Sequence, residues 1–115
     1  MTKIYKEVPI KLSDSGAMSE YSSRCFIPVC PKCGELYLHH GAVHVFFRGA
    51  EDATTGAIST CNGQTTTVVQ GAPMANSPSK RRDGLSIEMD CEMCGPVGRL
   101  TVAQHKGHTL IGWQD

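Results

Sequence analysis

Two short phrases constrain this chain more than anything else in it: Cys30-Pro31-Lys32-Cys33-Gly34 and Cys91-Glu92-Met93-Cys94-Gly95. Each places two thiols on one tight turn, at a spacing that lets both sulfurs reach a single ion. The glycine after each second cysteine tolerates positive φ, so the turn can close and aim backbone N–H groups at the sulfurs. Two such turns facing each other make a tetrahedral four-thiolate site, the closed arrangement that holds structural Zn²⁺. Cys30, Cys33, Cys91 and Cys94 are therefore the expected metal ligands, and one structural Zn²⁺ is the expected cofactor.

Six cysteines in all also admit a disulfide framework. Four of them fall into Cys-x-x-Cys pairs, however, and residues 1–7 lack the apolar run of a signal peptide. A thioredoxin-like redox pair needs a strand-to-helix context, whereas the residues after Cys33 and Cys94 read as strand. The reading is a metal site in a reducing, cytoplasmic compartment. No segment is apolar for long enough to form a membrane-spanning helix, so no membrane partner is expected.

The 115 residues suffice for one domain, with Lys plus Arg balanced against Asp plus Glu at 11 and 11. Such a balance provides no global basic field to drive nucleic-acid binding. Aromatic residues make up 6% of the chain against 12 glycines, which implies a thin core that needs a staple. Structural zinc supplies one, with apparent binding energies of roughly 10–16 kcal/mol in small zinc-finger peptides. The stretch between the pairs, residues 34–90, far exceeds the usual roughly 15–20 residues. Because loop-closure entropy grows only logarithmically, the excess costs about 1 kcal/mol, which leaves the site feasible and marks an insertion.

The expected fold is mainly all-β: a small antiparallel sheet with two zinc knuckles and a long polar insertion. Residues 1–24 read as an N-terminal arm with a short strand near 4–8, and residues 25–115 as the domain, with the insertion at 49–84. Residues 35–48 read as two strands broken near Gly41, with Val43, Val45 and Phe47 on one face and His44, Phe46 and Arg48 on the other. Within the insertion only residues 65–69 resemble a strand. Leu85, Ile87 and Met89 then alternate with Ser86, Glu88 and Asp90 in a half-buried strand leading to the second knuckle. A last hairpin turns at Lys106-Gly107, setting His105 opposite His108, Val102 opposite Ile111 and Leu100 opposite Trp113. The expected core is Leu85, Ile87, Met89, Leu100, Val102, Ile111 and Trp113.

With Cys30, Cys33, Cys91 and Cys94 and the strands beside them, about half the chain resembles the zinc-ribbon family. More narrowly, five phrases resemble those of small bacterial and phage proteins: Leu38-His39-His40, Arg48 with Glu51-Asp52, Arg81-Arg82-Asp83-Gly84-Leu85, Cys91-Glu92-Met93-Cys94 and Gln104-His105-Lys106-Gly107. This second resemblance implies a bacterial or phage origin and names no activity.

Beyond the knuckles, three groups of residues bear on function. Cys25 and Cys61 lie outside the pairs; Cys25 reads as a small buried thiol, and Cys61 sits in the polar loop without a base beside it in sequence. His39, His40, His44, His105 and His108, with Glu51 and Asp52, have the donor types of a second His/carboxylate metal site. No helix is expected that would carry a metalloprotease motif, and histidines on small sheets are more often surface or hydrogen-bonded core residues. Lys80, Arg81 and Arg82 form the dense cation run, placed on a loop as a candidate partner-binding surface and partly offset by Asp83.

Three functional classes follow. The leading one is a binding or adaptor module, not an enzyme, with a structural zinc and a protein or nucleic-acid partner. The alternatives are a small metal-dependent enzyme using the second site and a rubredoxin-like electron carrier. Cys30-Pro31-Lys32-Cys33-Gly34 resembles a rubredoxin knuckle, but Glu92 stands where the second rubredoxin knuckle has Pro.

Overall fold

The structure is a computed structural model. It describes residues 28–115 in full and, before them, the backbone of three short strands. Nine strands follow in order: β1 (Glu7–Val8), β2 (Leu12–Ala17), β3 (Arg24–Pro28), β4 (Leu38–Arg48), β5 (Thr55–Cys61), β6 (Thr66–Pro73), β7 (Gly84–Cys91), β8 (Gly95–His105) and β9 (His108–Gln114). They form one antiparallel sheet in the order β1-β9-β8-β7-β4-β5-β6, with β2 and β3 as a separate pair. The described residues contain no helix, in keeping with the all-β expectation.

Turn chemistry explains the connections. Lys106 and Gly107 both take positive φ, 50° and 80°, as the two-residue turn that matches strand twist requires. The resulting register pairs His105 with His108, Val102 with Ile111 and Leu100 with Trp113, as the sequence leads one to expect. In the β5–β6 turn, the Asn62 side-chain oxygen accepts the N–H groups of Gln64 and Thr65 at 2.9 and 2.8 Å. The second knuckle is itself the β7–β8 turn, since Cys91 pairs with Gly95.

Two expectations about the strands need correction. Residues 38–48 form one strand, not two: Gly41 lies in a register shift between His40 and Val43, and β4 pairs with β7 on both sides of it. The polar stretch after Arg48 contributes two strands, β5 and β6, rather than a single one. β5 gave little signal because a strand near a sheet edge packs only partly and can be built from Thr, Gly and Ser.

The core is also divided differently. Register places Val43, Ile87, Leu100 and Trp113 on one face of the sheet and His44, Phe46, Ser86 and Thr101 on the other. On the first face Met89, Cys91, Val97, Trp113 and Cys30 are buried together, with Ile87 and Leu100 packed against them. Ile111, expected in that core, is 59% exposed, and Leu85 and Val102 are half-buried. The knuckles cover only the end of the face where Trp113 lies. Phe46, Ala72 and Met74 form a second buried cluster on the opposite face, with Ile58 against it.

Residues 74–83 cross that second face as a strap. Pro78 packs on Gly84, where a Cβ would stand 2.9 Å from its ring. Buried Ser79 donates to the Gln104 carbonyl at 3.0 Å, and Gln114 donates to the Asn76 carbonyl at 3.4 Å. The Arg48 guanidinium clamps the strap by donating to the carbonyls of Ser79 at 2.8 Å and Arg82 at 3.0 Å, and it also donates to the Ala53 carbonyl in the β4–β5 turn. An arginine at a strand end satisfies three acceptors that a backbone with no strand partner leaves open.

Candidate metal centre

The first knuckle lies between β3 and β4, and the second closes β7–β8, so β4–β7 pairing brings the two together. Gly34 and Gly95 both sit at φ 77°, the left-handed conformation that each turn requires. The first turn is closed by Gly34 N–H donating to the Cys30 carbonyl at 3.0 Å and Cys30 N–H donating to the Glu35 carbonyl at 2.9 Å. One further bond ties the second knuckle to the segment that leads from the first knuckle into β4, from Glu92 N–H to the Tyr37 carbonyl at 3.0 Å.

All four Sγ atoms, of Cys30, Cys33, Cys91 and Cys94, lie within 4.8 Å of one another, and Cys33 and Cys91 are 3.6 Å apart. Sulfurs tetrahedrally placed roughly 2.3 Å from a zinc ion would stand about 3.8 Å apart, so four donors gathered this closely are positioned to hold such an ion. Cys30 and Cys91 are buried, Cys94 is half-buried, and Cys33 is exposed. Trp113, donating to the Val97 carbonyl at 3.4 Å, packs in the same buried cluster as Cys30 and Cys91.

Proton affinities diverge within the cluster. Burial pushes the Cys94 thiol up to about 12, reinforced by Cys33, Cys91 and Cys30. Burial also acts to raise Cys30, but the backbone N–H groups of Cys33 and Lys32 outweigh it and hold this thiol at about 7. At Cys33 the Glu35 N–H pulls downward, yet burial and the thiols of Cys30 and Cys91 leave it raised. Four neighbouring thiolates repel one another, and a bound dication removes that penalty. The donor set is all sulfur and closed, which suits a soft or borderline metal in a structural role.

Among the described residues, this is the group of three or more Cys, His, Asp or Glu side chains placed to hold an ion. The other candidate ligands are dispersed. His39 Nε2 bonds Glu92 at 2.7 Å near the second knuckle. His44 donates from Nε2 to Glu88 at 2.6 Å, because a carboxylate can only accept, and its Nδ1 is hydrogen-bonded with the Thr60 hydroxyl at 3.0 Å. His40 pairs across the sheet with Met89, while His105 and His108 face each other at the distant β8–β9 turn.

Glu51 and Asp52 instead meet the cation run. Arg81 makes two bonds to Asp52, at 2.9 and 3.3 Å, and reaches Glu51 at 3.4 Å, while Arg82 reaches Glu51 at 2.9 Å. Hydrogen bonding and charge from Asp52, with Glu51 behind it, raise the Arg81 proton affinity further. The Asp83 carboxylate, next in sequence to the cation run, accepts the Arg48 backbone N–H at 2.8 Å. Lys80 is exposed. Cys61 is exposed too, its proton affinity lowered by the Gly63 N–H and the Thr66 hydroxyl. The side chain of Cys25 lies outside the described residues.

Sequence reasoning missed the partnerships of Arg48 and Glu92. Glu92 carried a signal, since it departs from the rubredoxin pattern; Arg48 carried none beyond its place at a strand end.

Fold and site together define an all-β protein with a four-cysteine cluster positioned to hold a metal ion. No family model matches the chain, and no curated protein or solved structure does so either.

Proposed function

We propose that this protein is a small zinc-ribbon-like adaptor in which Cys30, Cys33, Cys91 and Cys94 hold one structural Zn²⁺ and the surrounding surface engages a protein partner. The closed four-sulfur cluster carries this reading, because every donor faces the ion and none of the four positions is left for substrate. Zinc bound there would tie the first knuckle to the β7–β8 turn and so complete the buried cluster around Trp113. It would supply folding energy rather than chemistry.

The dispersal of His39, His40, His44, His105 and His108 supports the adaptor over the metal-dependent enzyme. Pairing of Arg81 and Arg82 with Glu51 and Asp52 leaves little free charge for phosphate, which supports a protein partner over nucleic acid. Around the knuckles, Leu36, Tyr37 and Met93 are exposed, which suits an apolar protein contact.

The test is elemental mass analysis of freshly purified protein, paired with titration of short single- and double-stranded oligonucleotides at two salt concentrations. The expected result is one zinc per chain, no colour and no salt-dependent oligonucleotide binding. A second metal would revive the enzyme, a red iron-loaded preparation the electron carrier, and tight binding at low salt the nucleic-acid partner.

A further inference from the structure

The geometry points to β6 as a self-association edge, at which a second copy of this chain adds its own β6 antiparallel, about a two-fold axis through Val68. β6 ends the sheet, and its residues 66–71 are exposed, with Val68 at 58% and Val69 at 55%. An edge strand presents a row of unpaired N–H and C=O groups, and proteins usually guard such rows with charge, proline or a bulge. Among the described residues this edge is guarded only at its end, by the register shift near Gly71 and by Pro73. Residues 53–79 carry no Asp, Glu, Lys, Arg or His, although the whole chain has 22 charged residues, 11 of each sign.

The phase of the strand decides the register. Asn62 N–H donates to the Thr65 carbonyl at 3.2 Å, so these two form a hydrogen-bonded pair. Alternation along the β5–β6 ladder then turns the N–H and C=O of Thr67 and Val69 toward Thr60 and Ile58. Thr66, Val68 and Gln70 are left with their backbone groups facing outward. Those three positions are symmetric about Val68. A second β6 run antiparallel therefore sets Val68 opposite its own counterpart and Thr66 opposite Gln70, closing about six hydrogen bonds.

Side chains agree with that register. Val68 meets Val68 on the face that carries Val45, and Thr67 meets Val69 on the face that carries Phe46. These are cross-strand pairs of β-branched residues, and no charge is set against its own copy. A two-fold interface needs a self-complementary patch, and an uncharged strand with a centred set of backbone groups is one. Formal neutrality of the chain removes long-range repulsion between copies. The contact is shorter than a standard interface, so the dimer is reversible, with Kd on the order of 10–100 μM.

Sedimentation equilibrium of the metal-loaded full chain, run in reductant because Cys61 is exposed, tests the proposal. Wild type is expected to pass from monomer to dimer with rising concentration. Val68→Lys and Val68→Glu are each expected to weaken the dimer at least about 10-fold, because like charges would lie directly opposite. An equal mixture of the two variants is expected to recover a heterodimer, which only a register pairing position 68 with itself explains. Both substitutions are at an exposed position, and an unchanged metal content and near-ultraviolet Trp113 signal check that the fold persists. Wild type remaining monomeric to roughly 1 mM overturns the proposal. So does a Val68→Lys protein that dimerises like wild type, or a mixture that associates no better than its components.

Discussion

Trp113 lies across Gly98, so close that a Cβ at that glycine would stand 2.6 Å from the indole Nε1 and 2.4 Å from the Gln114 carbonyl oxygen. Gly98 holds φ at 130°, a conformation that side chains disfavour. The missing side chain and the large ring are one packing unit, and Cys30 and Cys91 sit in the same buried cluster.

Gly98→Ala is therefore expected to lose at least about 2 kcal/mol, from strain and from displacement of the indole. Urea unfolding measures the loss, and a change under about 0.5 kcal/mol would contradict the contact.

Trp113→Ala removes the largest member of that cluster, which is 3% exposed in the folded chain. A cost of roughly 3–5 kcal/mol is expected. Tryptophan emission typical of full exposure in the wild-type protein would show that the ring is not packed as described.

Cys91→Ser should release the bound metal and abolish cooperative unfolding, because Cys91 is both a buried donor and a core residue. Treating the wild type with a strong chelator should have the same effect, reversed by added zinc. Full zinc retention in the variant, with unchanged thermal stability, would remove the site from the fold's requirements.

Arg48→Met keeps an apolar stem and deletes the guanidinium that bonds the carbonyls of Ser79, Arg82 and Ala53. Water can replace part of what is lost, so a destabilisation of about 1–3 kcal/mol is expected. Amide exchange in residues 77–83 should accelerate more than exchange in β8. Equal acceleration everywhere would mean that Arg48 supports the sheet as a whole and not the strap.

Replacing Arg81 and Arg82 together with Ala should leave stability nearly unchanged, since their pairs with Glu51 and Asp52 are at the surface and screened by solvent. Thermal melting checks this, and a drop of many degrees would show that those pairs hold the strap in place.

What the sequence determined by itself was local. The two Cys-x-x-Cys-Gly phrases specify their turns because the glycine conformation and the thiol spacing are properties of five adjacent residues. The β8–β9 hairpin was equally legible: Lys106-Gly107 sets the turn, and the turn sets every pairing out to Leu100 and Trp113. Strict alternation in residues 85–89 announced β7, and the all-β class followed.

Only the tertiary structure decided the rest, because it depends on which strands become neighbours. β5 has little hydrophobic pattern of its own and is a strand because β4 and β6 flank it. Ile111 shares a face with Trp113, yet the knuckles cover only one end of that face, so one residue is exposed and the other buried. Arg81 and Arg82 read as a loop cation run offset only in part by Asp83, until the chain brings Glu51 and Asp52 beside them. Periodicity tells which side of a strand a residue occupies, but not whether anything packs over that side. That is settled by contacts between residues far apart in sequence, such as Cys33 with Cys91 and Arg48 with Ser79.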